Sequence, residues 1–320
     1  MTSARLFPRC LLTSDDITVD MIQSVNQHLH YHPGLLPNCS GHTVCTLFYE
    51  PSTRTRLSFE RATQDLNAKL LSVSNPREVL SLALGESFED TIRTVSCFAD
   101  TLVLRHPDNE ASERASIIAP DLTVISAGSG ISEHPTQTLI DLHVVWKRLL
   151  WDSHTKRQLR PYEGLRVAYV GDIKYSRTAR SLLRVGSKLG WIQTIIAPSR
   201  CWPSEMGLAS LSTDSYDPTA VVLLPVLASL DVLYIVGHQK ERMMGKGGPD
   251  SYIVKDQLPH YRITAEWLKI LSPHAIIMHP LPRGNEADID NDPRSAIWDQ
   301  ARAAVPVRRL ILSRTWGYTI

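Results

Sequence analysis

The sequence predicts an α/β protein of two doubly wound parallel-sheet domains with a ligand cleft between them. Three observations carry this. Short runs rich in Val, Ile and Leu alternate with helical patterns along the whole chain, as parallel strands covered by helices do. The alternation breaks once, at 151–164, where the residues turn polar and lose any period. Polar and charged side chains gather just after the strand-like runs, and open α/β sheets take ligands at the carboxyl ends of their strands.

In the first half, strands are expected at 44–50, 69–74, 101–106 and 123–127, separated by helices at 53–66, 87–99 and 110–118. A helix over 135–150 closes this half, and 151–164 is the linker candidate. The second half repeats the theme, with strands at 165–171, 194–198, 232–236 and 275–279 and helices at 176–189, 263–270 and 293–303. The expected domains are therefore 1–150 and 151–303.

Composition narrows the function classes. The chain has 320 residues and is 43% hydrophobic, enough for two medium domains. Lys+Arg 34 against Asp+Glu 33 gives no basic footprint, so nucleic acid is not an expected partner. No apolar run approaches the roughly 18 residues that read as a membrane span, so no membrane partner is expected either. Arg5 and Arg9 precede no long apolar core and Asp15-Asp16 follow, against a signal peptide. The five cysteines (Cys10, Cys39, Cys45, Cys97, Cys201) have no paired spacing. They read as reduced thiols, and the expected location is cytoplasmic. His28, His30 and His32 have no partner motif and are not read as a metal site. Ala127-Gly128-Ser129-Gly130 is too short for a dinucleotide loop.

Two stretches point to chemistry. After the strand at 44–50 come Pro51 and then Ser52-Thr53-Arg54-Thr55-Arg56, opening a helix. Free N–H groups and the positive dipole end gather there, and hydroxyls and guanidinium groups in the same turn suit a phosphate dianion. His134-Pro135-Thr136-Gln137 offers an imidazole and an amide at another helix start. A small molecule with a phosphate at one end and an amide-like group at the other fits both. Other strand ends carry Arg105 with His106-Pro107, Gly171-Asp172 leading to Arg177, Gln239-Lys240-Glu241-Arg242, and His279-Pro280-Leu281-Pro282-Arg283.

Taken in order from Phe48 to Arg294, with Gly85-Glu86-Ser87 and Lys174-Tyr175 among them, these motifs resemble the aspartate/ornithine carbamoyltransferase family, and its aspartate branch in particular. The resemblance implies carbamoyl transfer from carbamoyl phosphate to an amino group, giving N-carbamoyl-L-aspartate and phosphate in the aspartate branch. It implies no metal and no organic cofactor, an active site in the interdomain cleft, and a homotrimer with shared sites. A C-terminal helix, about 304–320, is expected to pack back on the first domain.

The implied roles are these. Ser52, Thr53, Arg54 and Thr55 hold the phosphate. Arg105, Thr55 and His134 polarise the carbonyl oxygen, where each donor is worth roughly 10²–10³ in rate. Gln137 and backbone carbonyls at Pro280 and Leu281 hold the carbamoyl nitrogen. Arg177 and Gln239 bind the acceptor. Ser81 belongs to a loop reaching the adjacent subunit, and Glu50 and Arg242 are ion-pair partners. The departing phosphate takes the amine's proton.

Two positions depart from the pattern. Leu84 stands where the family has a lysine reaching into the neighbouring site, and Gly237 where the aspartate branch has an acceptor-binding arginine. Each change removes a charge-assisted contact worth roughly 1.5–3 kcal/mol. They keep two alternatives open: a different amine acceptor, and a catalytically weak phosphate-binding or regulatory homologue.

Overall fold

The computed structural model describes residues 6–74, 85–198, 201–203, 223–237, 262–284 and 289–318. The chain divides into two compact units, Met1–His143 with Ala301–Ile320, and Val144–Gln300.

The first unit runs α1 (Val19–Tyr31), β1 (Thr43–Phe48), α2 (Thr53–Asp65), β2 (Lys69–Ser74), α3 (Phe88–Phe98), β3 (Thr101–His106), α4 (Ala111–Ile118), β4 (Thr123–Ser129) and α5 (Pro135–Val145). Its four strands pair in parallel in the order β2-β1-β3-β4. β1 is buried from Val44 to Phe48, which explains its unbroken apolar run. Cys45, Leu47, Leu102, Leu104 and Val124 from three strands pack with Ile92 and Ala115 from α3 and α4. From β1 the chain crosses to β2 on one side, and from β3 to β4 on the other. The reversal leaves a crevice at the carboxyl ends of β1 and β3, where such sheets bind ligands.

The second unit contains the hairpin β5 (Trp151–Asp152) and β6 (Arg157–Gln158), then β7 (Arg166–Gly171), α6 (Arg177–Lys188), β8 (Ile192–Ile196), α7 (Leu223–Ser229), β9 (Val232–Val236), α8 (Ala265–Ile270) and β10 (Ile276–Met278). Its parallel sheet has the order β10-β9-β7-β8, which puts the reversal between β7 and β9. Ala168, Val170, Leu233, Ile235 and Ile277 pack against Leu227 and Trp267. Gly171 is required at the end of β7. Its φ is +110°, and a Cβ there would stand 2.5 Å from the Val236 carbonyl oxygen.

The structure corrects several expectations. The helix over 135–150 is α-helical only to Val145, then widens into a π turn at Trp146–Leu150. That turn buries Trp146 and Leu150, with Trp146 packed 4.7 Å from Trp151 between ring centroids. The linker at 151–164 holds the β5–β6 hairpin, whose turn Asp152 ties by accepting from the His154 N–H and the Thr155 hydroxyl, both at 2.8 Å. The helices expected at 293–303 and 304–320 are one helix, α9 (Ile297–Thr315), running through Pro306. An interior proline costs about 3 kcal/mol, and burial of Val307, Leu310, Ile311 and Leu312 offsets it. The compact units part after His143 and after Gln300. α1 lies outside the expected elements because polar Asn26 and His28 share its buried face with Met21, Ile22 and Val25, blurring the periodicity.

Candidate active site

The reversal in the first sheet gathers the residues singled out around the first motif. Phe48 and Arg105 are register partners at the ends of β1 and β3. Just beyond, the Arg105 carbonyl accepts from the Tyr49 N–H at 2.9 Å. The β3–β4 register shifts between Leu104 and His106, so Arg105 sits at an irregularity, the kind of feature that re-aims a side chain. Its guanidinium lies 3.5 Å from the Glu50 carboxylate and donates to the Ala127 carbonyl at 3.4 Å. Glu50 thus pairs with Arg105 here. Arg242, the ion-pair partner expected alongside it, lies outside the described residues.

Helix α2 opens immediately afterwards, and its first turn is electrostatically inverted. Ser52 is its N-cap residue (φ −159°, ψ 92°), yet the Ser52 side chain makes no capping hydrogen bond. No acidic residue stands in the first turn, while Arg54 and Arg56 do. Cations at a helix N-terminus oppose the dipole. Arg54 is exposed as a residue, but its guanidinium is partly desolvated, which holds its pKa below the ordinary value. By contrast, Ser87 caps α3 by accepting from the Asp90 N–H, with Glu89 and Asp90 in the first turn. Thr55 is buried in the α2 turn, with Thr53 and Arg54 exposed beside it.

His134 is buried directly before α5, and its carbonyl accepts from the Gln137 and Thr138 N–H groups at 3.0 and 3.2 Å. Gln137 donates its Nε2 to the buried Asp141 at 2.8 Å, which fixes the amide and leaves its oxygen as the acceptor. The preceding residue is anchored too. The Glu133 carboxylate accepts from the Ser14 N–H at 2.9 Å and its hydroxyl at 3.3 Å. A thiol nucleophile is not available on β1, because burial pushes the Cys45 thiol up to about 11.

The second unit has its own cluster at the β7–β9 reversal. Beyond Gly171, buried Asp172 accepts from the Tyr175 N–H at 3.2 Å, closing the turn into α6. Ser176 caps that helix, and Arg177 is its first residue, 4% exposed. Gly237 is buried just past β9, while Gln239 lies outside the described residues, as do Ser81 and Leu84. After β10, His279 is locked: its N–H donates to Gln300 at 2.9 Å and its Nδ1 accepts from the Leu281 N–H at 2.9 Å. Leu281 has a φ of +57°, a left-handed conformation strained for a leucine. The hydrogen bond from the Leu281 N–H to His279 holds that conformation.

Sequence reasoning missed Ser58, Glu133, Asp141 and Arg308 as supports of these turns. The signal for Arg308 was available. It stands between Ala304 and Ile311 on the apolar face of α9, a poor place for an arginine without partners.

Comparison with known proteins agrees over nearly the whole chain. Residues 9–147 match the carbamoyl-P binding domain of aspartate/ornithine carbamoyltransferase, and residues 163–315 match its Asp/Orn binding domain. The aspartate carbamoyltransferase catalytic subunit of Methanoculleus marisnigri is 37% identical over 285 residues, covering 88% of this chain and 89% of that one. The chloroplastic aspartate carbamoyltransferase 1 of Pisum sativum is 36% identical over 276 residues, covering 85% and 68%. Among solved structures, aspartate transcarbamoylase from Trypanosoma cruzi in complex with aspartate and phosphate superposes with a TM-score of 0.82 at 27% identity, covering 96% of each chain. The catalytic subunit from M. jannaschii gives 0.77 at 32% identity, covering 96% and 97%. Two family domains in their family order, each built around its own sheet reversal, make this chain a member of the aspartate/ornithine carbamoyltransferase family.

Proposed function

We propose that the chain transfers the carbamoyl group of carbamoyl phosphate to the amino group of aspartate, giving N-carbamoyl-L-aspartate and phosphate. The carrying observation is the inverted first turn of α2, a dipole end with arginines and no cap of its own. A bound dianion turns that unfavourable arrangement into a favourable one.

In this reading Ser52, Thr53, Arg54 and Thr55 hold the phosphate. Arg105, Thr55 and His134 donate to the carbonyl oxygen as charge develops in the tetrahedral intermediate. The Gln137 amide oxygen accepts from the carbamoyl nitrogen, as do the Pro280 and Leu281 carbonyls. The amine nitrogen bonds to the carbonyl carbon, the carbon–oxygen bond to phosphate breaks, and the leaving phosphate takes the amine's proton. Arg177 and Gln239 bind the acceptor. A homotrimer with shared sites is part of the proposal, on the family resemblance, and in it Ser81 would serve the adjacent subunit. A cytoplasmic location is part of the proposal, on the unpaired spacing of five cysteines along the chain. Among the described residues no helix is long and apolar enough to cross a membrane.

Gly237 favours a second reading, a different amine acceptor, because a glycine past β9 has no side-chain cation to pair with a side-chain carboxylate. Titration calorimetry with carbamoyl phosphate, followed by carbamoyl-aspartate formation, separates the cases. Donor binding with product from aspartate supports the first reading. Donor binding with product from another amine only supports the second. Donor binding without product from a panel of amines points to a binding or regulatory homologue, and no donor binding overturns all three.

A further inference from the structure

We infer that Arg308 is a positioning residue for the donor site, bracing the first turn of α2 against the first turn of α5. The inference rests on the donor-site reading above and concerns a residue that reading does not use. Arg308 lies on α9, is 1% exposed and is among the largest fully buried side chains. A buried guanidinium is costly unless its donors are met.

Its partners sit directly behind the proposed phosphate and carbonyl contacts. One terminal nitrogen donates to the Ser58 hydroxyl. The Ser58 oxygen lies 2.6 Å from the Arg54 carbonyl and 3.0 Å from the Thr55 carbonyl, to which its own proton can be donated. Arg308 is thus one side chain removed from the backbone of two phosphate-holding residues. The other terminal nitrogen reaches the Thr136 hydroxyl at 3.5 Å, between His134 and Gln137. The guanidinium also lies over the Phe59 ring, 4.8 Å from its centroid, so α2 holds it on two sides. Desolvation pulls the pKa of Arg308 down to about 9, opposed by the negative charge of Asp141. Asp141 is the carboxylate that fixes the Gln137 amide. Both turns therefore lean on one buried cation. A planar fork holds two partners at a set spacing in a way a point charge does not.

The test uses Arg308→Lys, which keeps the charge and loses the fork, and Ser58→Ala, which removes the relay hydroxyl and leaves the guanidinium its Thr136 contact. Calorimetry on the full chain measures carbamoyl phosphate and inorganic phosphate binding, and kinetics give KM for donor and acceptor separately. Both variants are expected to weaken donor binding by about tenfold to a hundredfold, with the acceptor KM unchanged. The double variant is expected to be no worse than the weaker-binding single, because the two residues act in one relay. A purely structural role would lower the melting temperature and leave donor affinity at the wild-type value, which overturns the inference. If Arg308→Lys does not fold, Ser58→Ala decides alone. If the wild-type chain binds no carbamoyl phosphate, the donor-site reading and this inference fall together. If it binds and the variants bind equally well, only the inference falls.

Discussion

Replacing Gly171 with alanine tests whether the β7–β9 reversal sets the acceptor half of the site. Gly171 pairs with Val236 at the carboxyl ends of these strands. An alanine Cβ would lie 2.5 Å from the Val236 carbonyl oxygen and 3.3 Å from its Cγ2, in a backbone held at φ +110°. A carbon–oxygen contact normally opens to about 3.3 Å, so the strand ends must part by roughly 0.8 Å. The obstacle is backbone, which cannot swing aside as a side chain can. The strained conformation contributes about 1–3 kcal/mol and the overpacking about 1–3 kcal/mol, together roughly 2–6 kcal/mol. For a chain of this size that lowers the melting temperature on the order of 10 °C. The strand ends feed the turn to Arg177 and the segment past Gly237, so acceptor KM should rise while carbamoyl phosphate affinity holds. Gly186→Ala is the control. Its Cβ meets the Gln193 side-chain oxygen at 2.6 Å and the Trp191 ring at 2.6 Å, inside the helix layer, so it should lose stability without a selective acceptor defect. Thermal unfolding and steady-state kinetics read both. A Gly171→Ala chain that melts with the wild type and keeps its acceptor KM would refute the reasoning.

Arg105→Ala should lower kcat/KM by about 10²–10³, and an activity within a fewfold of wild type would remove Arg105 from the carbonyl contact. The combined change Leu84→Lys with Gly237→Arg should raise kcat/KM for aspartate by roughly 10²–10⁴ if those positions limit it. No rise would show that the limit lies elsewhere. The Asp292 carboxylate is held below its ordinary value of 3.8 by hydrogen bonds from Arg294, which also donates to the Leu268 and Leu271 carbonyls at 2.8 Å at the end of α8. A depressed folded pKa means this stabilisation is fully present above the unfolded value and is lost as pH falls through the folded one. The stability gap between wild type and Asp292→Asn should therefore be constant near neutrality and close below 3.8. Denaturant unfolding at a series of pH values would show a gap that does not close if the assignment is wrong.

The sequence by itself determined the alternation of strands and helices, the two-sheet organisation and the helix start after Pro51. Each depends on local pattern: apolar runs in buried parallel strands, turn residues between them, and hydroxyls and arginines in one helical turn. Local pattern failed where packing overrode it. Pro306 marks a break by propensity, yet α9 runs through it because its far side is buried. The polar stretch at 151–164 reads as a linker, yet it folds into a hairpin tied by Asp152. Only the tertiary structure decided the strand order, and with it the crevices at β1–β3 and β7–β9. Only it paired Glu50 with Arg105 and set Arg308 behind Ser58, contacts between residues 55 and 250 positions apart. The reason is physical. Periodicity records which face of an element is buried, but the identity of what lies against that face depends on chain crossings that no local window contains.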